Sequence, residues 1–257
     1  METIKLSGIG VVVLLIIAIN WRAGDQFGDE HFDTFSLSSQ PNCQTSSELI
    51  QEVRVFEEQN GMLAVEAEHF SSQQQTTIRK WALVNRDTKA LPTPDPDPAH
   101  LEDASGDAYL EILPDSRVTH DDPLIPGTNF SNEPGKIGIL NYKVYINQPG
   151  KYFVWVRGFS TGTEDNGLHV GLDGVWVESG QRMQWCEGKN EWTWESKQRT
   201  QENHCGEARK IFLDIKKPGH HTISFSMRED GFEFDKWVLS SNYQKPSGQG
   251  PQEKVMK

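Results

Sequence analysis

Beyond residue 52 the chain alternates apolar and polar residues in short runs. VRVFEE, GMLAVEAEHF, AYLEIL, KIGILNYKVYI, KYFVWVRGF, GLHVGLDGVWV, RKIFLDI, HHTISFSMR and EFDKWVLS each alternate, or run apolar, over about five to eight residues, which predicts strands. Turn signals separate them: Asp95-Pro96-Asp97-Pro98, Ile125-Pro126-Gly127, Gln148-Pro149-Gly150, Asp173-Gly174 and Lys217-Pro218-Gly219. No segment sustains a helical period, and there is no internal repeat. Strand after strand with turns at short spacing predicts an all-β fold, an antiparallel β-sandwich, over residues 53–241. Three stretches, 71–105, 115–135 and 179–207, are too long for hairpin loops. Long loops on a β scaffold carry function more often than the scaffold does.

The flanks have a different pattern. Lys5 precedes an apolar run from Leu6 to Ile19 at the extreme N-terminus. That run fits a secretory h-region better than a bilayer span, which needs about 20 apolar residues. Neither Ala18-Ile19-Asn20 nor Trp21-Arg22-Ala23 makes a good cleavage site, so residues 1–23 read as a signal peptide or a retained N-terminal anchor. Residues 24–52 are poor in apolar side chains and read as a linker, and residues 242–257 as a flexible tail. The expected location is secreted, periplasmic or at the cell surface.

Composition narrows the partners. Acidic residues outnumber basic ones 37 to 25, for a net charge of −12, which leaves no general footprint for a phosphate backbone and excludes nucleic acid as the expected ligand. Four of the eight tryptophans, Trp176, Trp185, Trp192 and Trp194, fall between positions 176 and 194. Of the three cysteines, Cys186 and Cys205 stand at the ends of this polar, Trp-rich segment. In an exported chain that placement suits a disulfide better than a metal site, for which no CxxC or HxxxH spacing is present. Cys43 is left over in the linker.

The order of a few signatures carries a resemblance. Val65-Glu66-Ala67-Glu68-His69-Phe70 opens the domain, and Pro149-Gly150-Lys151-Tyr152-Phe153-Val154-Trp155-Val156-Arg157 turns into a core strand. A Trp-rich loop and Pro218-Gly219-His220-His221-Thr222-Ile223 follow, and Asp230-Gly231-Phe232-Glu233-Phe234-Asp235-Lys236-Trp237-Val238-Leu239 closes it. Over about residues 61–241 this succession resembles the galactose-binding-like jelly-roll modules, in particular carbohydrate-binding module families 6 and 35. It is also similar to the non-catalytic C-terminal domain of family 115 α-glucuronidases. The resemblance implies a structural calcium held by Glu66, Glu68 and Asp235. Read as one strand, Glu66 and Glu68 share a face, and paired carboxylates call for a cation or a proton. Hard oxygen ligands of this kind suit calcium.

The Trp-rich segment supplies the candidate ligand site. Sugars stack C–H faces on indole, and their hydroxyls seek planar amides and carboxylates. Trp185, Trp192 and Trp194 with Glu187 and Asn190 have that composition, and in the resembled modules a tryptophan of the corresponding loop walls the cleft. If extended, the segment points Trp192 and Trp194 to one side, so both are core or both are available. Tyr109, Arg117, His120, Asp121 and Asp230 are further candidate ligand-binding residues around the first two long loops. No catalytic residue is assigned: a phosphate loop, HExxH and a Cys/His nucleophile pattern are all missing from the sequence. The expectation is non-catalytic binding of a polysaccharide or oligosaccharide. The alternatives are a polysaccharide-degrading hydrolase or lyase, using Asp121, Asp122 or Glu187 with Glu191, and a protein-binding adhesion module.

Overall fold

The computed structural model describes residues 53–76 and 78–257. The leader, the linker and Cys43 lie outside the described residues. Among the described residues fifteen strands form: β1 (Val55–Glu57), β2 (Met62–Glu66), β3 (Ser72–Gln74), β4 (Lys80–Asn85), β5 (Ala108–Leu113), β6 (Ile139–Ile146), β7 (Gly150–Phe159), β8 (Gly167–Leu172), β9 (Met183–Gln184), β10 (Thr193–Glu195), β11 (Lys197–Gln198), β12 (Glu207–Ala208), β13 (Phe212–Ile215), β14 (Gly219–Met227) and β15 (Glu233–Ser240). One sheet runs β1-β6-β14-β8-β9-β11-β12 with β3 also on β6, and the other runs β10-β7-β15-β5-β4 with β13 on β7 and β2 on β15. Apart from parallel β1 and β6, the strand pairs are antiparallel. The fold is the all-β sandwich that the alternation predicts.

The core lies between the sheets, and the period of two fills it. On β6, Leu140, Tyr142, Val144 and Ile146 are buried and alternate with more accessible residues. They meet Val154 and Val156 of β7 and Phe234, Trp237 and Leu239 of β15. The buried Tyr142 hydroxyl donates to Ala67 O at 2.6 Å, so its burial leaves no polar atom stranded.

The second sheet is buried on its outer side as well. All six residues of β5 and all eight of β15 are buried. Two segments that the sequence reads as loop and tail roof this outer face. One is the stretch from Arg86 to Ser105. The other is the C-terminal segment, which is no free tail. Tyr243 packs on Phe153 and Trp155, Glu57 N donates to Lys254 O at 2.8 Å, and Met256 N donates to Val55 O at 2.7 Å. It belongs to the same compact unit as the sandwich. Of the long loops, 71–105 contains β3 and β4, and 179–207 contains β9 to β11.

Two local departures matter for the site. Glu66 ends β2 and a single 3-10 turn, Ala67–His69, follows, so Glu66 and Glu68 are not same-face residues of one strand. In β15 the pairing with β7 shifts, since Phe234 opposes Gly158 and Lys236 opposes Arg157. Asp235 is therefore the extra residue of a bulge. Phe234 and Trp237, three apart, both reach the core, while Asp235 and Lys236 both reach Ser105 outside it.

Candidate functional site

The roofed outer face of the second sheet divides into three zones. At one end Trp155, Trp194, Val238 and Ala64 pack together beneath the C-terminal segment. Trp194 is 3% exposed, its Nε1 donates to Gly248 O at 2.9 Å, and a Cβ at Gly250 would lie 2.5 Å from its ring. Only glycine, here at φ +75°, lets the strap lie that close.

The middle zone is ionic. Asp235 accepts from Ser105 N at 2.7 Å and from Arg157 Nη1 at 2.7 Å, and Lys236 Nζ donates to Glu66 Oε1 at 2.7 Å and Ser105 Oγ at 3.2 Å. Burial, with smaller contributions from the Glu66 and Asp235 charges, pushes the Glu68 carboxyl up to about 7. Glu66 Oε2 and Glu68 Oε2 are buried without partners, the one feature that suits a metal. The set as a whole does not fit a calcium shell. An ammonium and a guanidinium stand among the three carboxyls, and no three Asp, Glu, His or Cys side chains among the described residues converge as metal ligands.

The third zone, at the loop end, combines aromatic rings with carboxyls that have few counter-charges. Glu111 of β5 and Glu233 of β15 are cross-strand partners, and like charges directly opposite destabilise one another. Burial first, then the Glu233 charge, pushes Glu111 up to about 10, and burial leads the upward shift of Glu233. At neutral pH Glu111 is held as an uncharged acid, and burial biases Glu233 toward its neutral form. Above them lies His100, whose Nδ1 is 2.6 Å from Glu233 Oε1 and whose ring stacks on Phe159 at 3.9 Å. Its backbone N donates to Tyr109 Oη at 3.1 Å, and its carbonyl accepts from Trp192 Nε1 at 3.0 Å. Trp192 is only half-buried and meets Tyr109 and Phe159 edge-on at 5.2 and 5.4 Å. Asp95 and Asp97 stand half-exposed at the rim, both shifted upward chiefly by burial. Glu233 Oε2 and Asp95 Oδ1 have no hydrogen-bond partner. Such a group of rings and unsatisfied acceptors can take hydroxyl donors and a C–H face.

The sequence candidates distribute unevenly over this geometry. Tyr109 and Trp192 come together, although Tyr109 is fully buried and contributes its hydroxyl from beneath. Trp192 and Trp194 do share a side, but Trp194 is covered by the strap, and Trp185 is a core residue, 1% exposed, bonded to Thr193 O. Neither offers an indole face to a sugar. Asp230 is no ligand group either: its Oδ2 accepts from Arg79 Nη2 at 2.6 Å and from Ser116 N and Oγ, both at 2.9 Å, in full burial. Arg117 is buried and committed to Glu164, which also faces the exposed His120 at 3.2 Å. Asp121, Glu187 and Asn190 are exposed, with Glu187 3.6 Å from Lys197. The Cys186–Cys205 disulfide is formed across 19 positions. Sequence reasoning missed His100, Asp95, Asp97, Phe159 and Glu233. The Asp-Pro-Asp-Pro run is the signal that was present, because its prolines stiffen the segment that brings His100 onto the sheet.

The family model "Glycosyl hydrolase family 115 C-terminal domain" matches residues 99–253, more than half of the chain. The chain belongs to the glycosyl hydrolase family 115 C-terminal domain family. The matched stretch of this family 115 C-terminal domain runs through Glu111, Trp192 and Glu233 and includes most of the C-terminal strap. The chain is also 52% identical over 212 residues to "Uncharacterized protein P23" of Formosa agariphila, covering 82% of this chain and 49% of that protein. It thus spans about half the length of the curated relative it matches. Among solved structures it is similar to a family 35 carbohydrate binding module from Clostridium thermocellum (TM-score 0.39, 15% identity, 69% of this chain and 98% of that one). A Paenibacillus xanthan lyase is similar as well (TM-score 0.40, 15% identity, 70% of this chain and 13% of that one). Nothing about ligand follows from structural likeness at that level.

Proposed function

We propose that this family 115 C-terminal domain is a non-catalytic saccharide-binding domain of an exported protein, and that its site is the loop-end zone of the second sheet. Trp192 offers apolar contact, and Asp95, Asp97 and His100 receive and donate hydrogen bonds to hydroxyls. The observation that carries this reading is the half-buried indole of Trp192 on His100, beside the half-exposed carboxyls of Asp95 and Asp97, at the edge of the stretch that matches a glycosyl hydrolase family domain. The rim is acidic and the buried Arg117 is already engaged, so an uncharged saccharide suits it better than a polyanion.

A second reading is favoured by one observation. Two carboxyls with strongly raised pKa values beside an imidazole have the makings of acid–base chemistry, and a polysaccharide-degrading enzyme would use Glu111 and Glu233. Both carboxyls are 2–3% exposed under the roof, which favours binding over turnover. A glycan array on the domain, run beside an assay for new reducing ends or unsaturated products, separates the two. Binding without product supports the first reading. Product formation that Glu111→Gln abolishes supports the second.

A further inference from the structure

We infer that Lys236 and Arg157 supply from within the chain the positive charge that Glu66 and Asp235 require, so that the joint between the opening and closing strands is metal-independent. The bulge in β15 makes this possible. In a regular strand Asp235 and Lys236 would leave opposite faces, whereas the extra residue turns both toward Ser105. Lys236 lies opposite Glu66 in the pairing of β15 with β2, and its ammonium is 2.7 Å from Glu66 Oε1. Arg157, opposite the bulge on β7, is 2.7 Å from Asp235 Oδ2 and also donates to Asp103 O at 2.9 Å. Both cations are buried, with side chains 3% and 5% exposed, and neither contacts another carboxylate among the described ion pairs. A buried ammonium or guanidinium persists only where it is paired, so each of these is committed to this joint.

The two unpartnered oxygens, Glu66 Oε2 and Glu68 Oε2, do not alter that conclusion. Calcium takes about six to eight oxygens, and here one oxygen of Glu66 faces an ammonium and both of Asp235 are taken by a guanidinium and a backbone N–H. To build a shell, the ion would have to displace buried cations that have nowhere else to go.

The test is thermal melting of the full chain in chelator and in millimolar calcium, with metal analysis of the purified protein, on wild type, Lys236→Met and Lys236→Arg. The expected result for wild type is superimposed melts and no stoichiometric calcium. Lys236→Met keeps the apolar stem and should lower Tm by on the order of 10 °C, while Lys236→Arg should retain most of the stability. A calcium-dependent Tm in wild type, or calcium retained at one equivalent, would overturn the inference even if the variants failed to fold. So would a Lys236→Met protein as stable as wild type.

Discussion

Two carboxyls facing each other under a roof make stability depend on pH in a direction opposite to ordinary surface acids. Glu111 titrates near 4.5 in an unfolded chain and is pushed up to about 10 in the folded domain, with Glu233 beside it also raised. The folded state therefore keeps protons that the unfolded state releases. Stability from this pair is full below about pH 4.5 and declines as pH rises toward the folded value. Between pH 5 and 8 the medium moves three units through that window. At about 1.4 kcal/mol per unit, one isolated group would lose ~4 kcal/mol. Sharing of one environment by two acids and partial hydration reduce this, so we expect the pair to contribute a loss of ~2–4 kcal/mol over that span, read as the difference between wild type and Glu111→Gln. Glu111→Gln removes one titrating group and its repulsion of Glu233, so its loss should be smaller by roughly half. Urea unfolding of both proteins at pH 5, 6.5 and 8 measures it. An undiminished loss in Glu111→Gln would refute the reasoning.

Other consequences follow from the roofed face and the Trp-rich loop. Trp194→Ala should cost ~3–5 kcal/mol in a denaturant melt and leave saccharide affinity unchanged, because the indole supports the strap. Truncation after Ser241 should cost on the order of 5 kcal/mol, since it strips that indole and removes the Glu253–His69 pair and the Lys254 and Met256 backbone bonds. Cys186→Ser with Cys205→Ser should lower stability by ~3 kcal/mol, the loop-closure effect of a bridge across 19 positions, as read from non-reducing melts.

The strands were legible because their inward positions obey a strict period: Leu140, Tyr142, Val144 and Ile146 announce β6 without any knowledge of its partners. The outer face of the second sheet was not. Glu111, Arg157, Glu233 and Lys236 alternate with apolar residues as solvent-facing side chains do, and only the covering segments bury them. Those segments carry no period of their own. Residues 86–105 are rich in Pro and Asp, and the strap from Asn242 is held by a few contacts, chiefly through Tyr243, Gly248, Glu253 and Val255. The bulge at Asp235 is equally silent in sequence, and with it the placement of Lys236 beside Glu66. In the candidate site Tyr109 and Trp192 were identifiable by type, whereas His100 and Glu233 needed the pairing of β5 with β15 and the roof above it.

The central claim is that the loop-end zone binds saccharide through its rim. Its most direct test is a calorimetric titration of an uncharged oligosaccharide identified on the array into wild type and Asp97→Ala. Asp97 is half-exposed and contacts only Thr161 Oγ1 among side-chain partners, so its removal should spare the fold. Our account predicts saturable binding by wild type, weakened about tenfold or more in Asp97→Ala at unchanged Tm, the loss of roughly one strong hydrogen bond. Failure of wild type to bind any saccharide, or equal affinity in the two proteins, would contradict it.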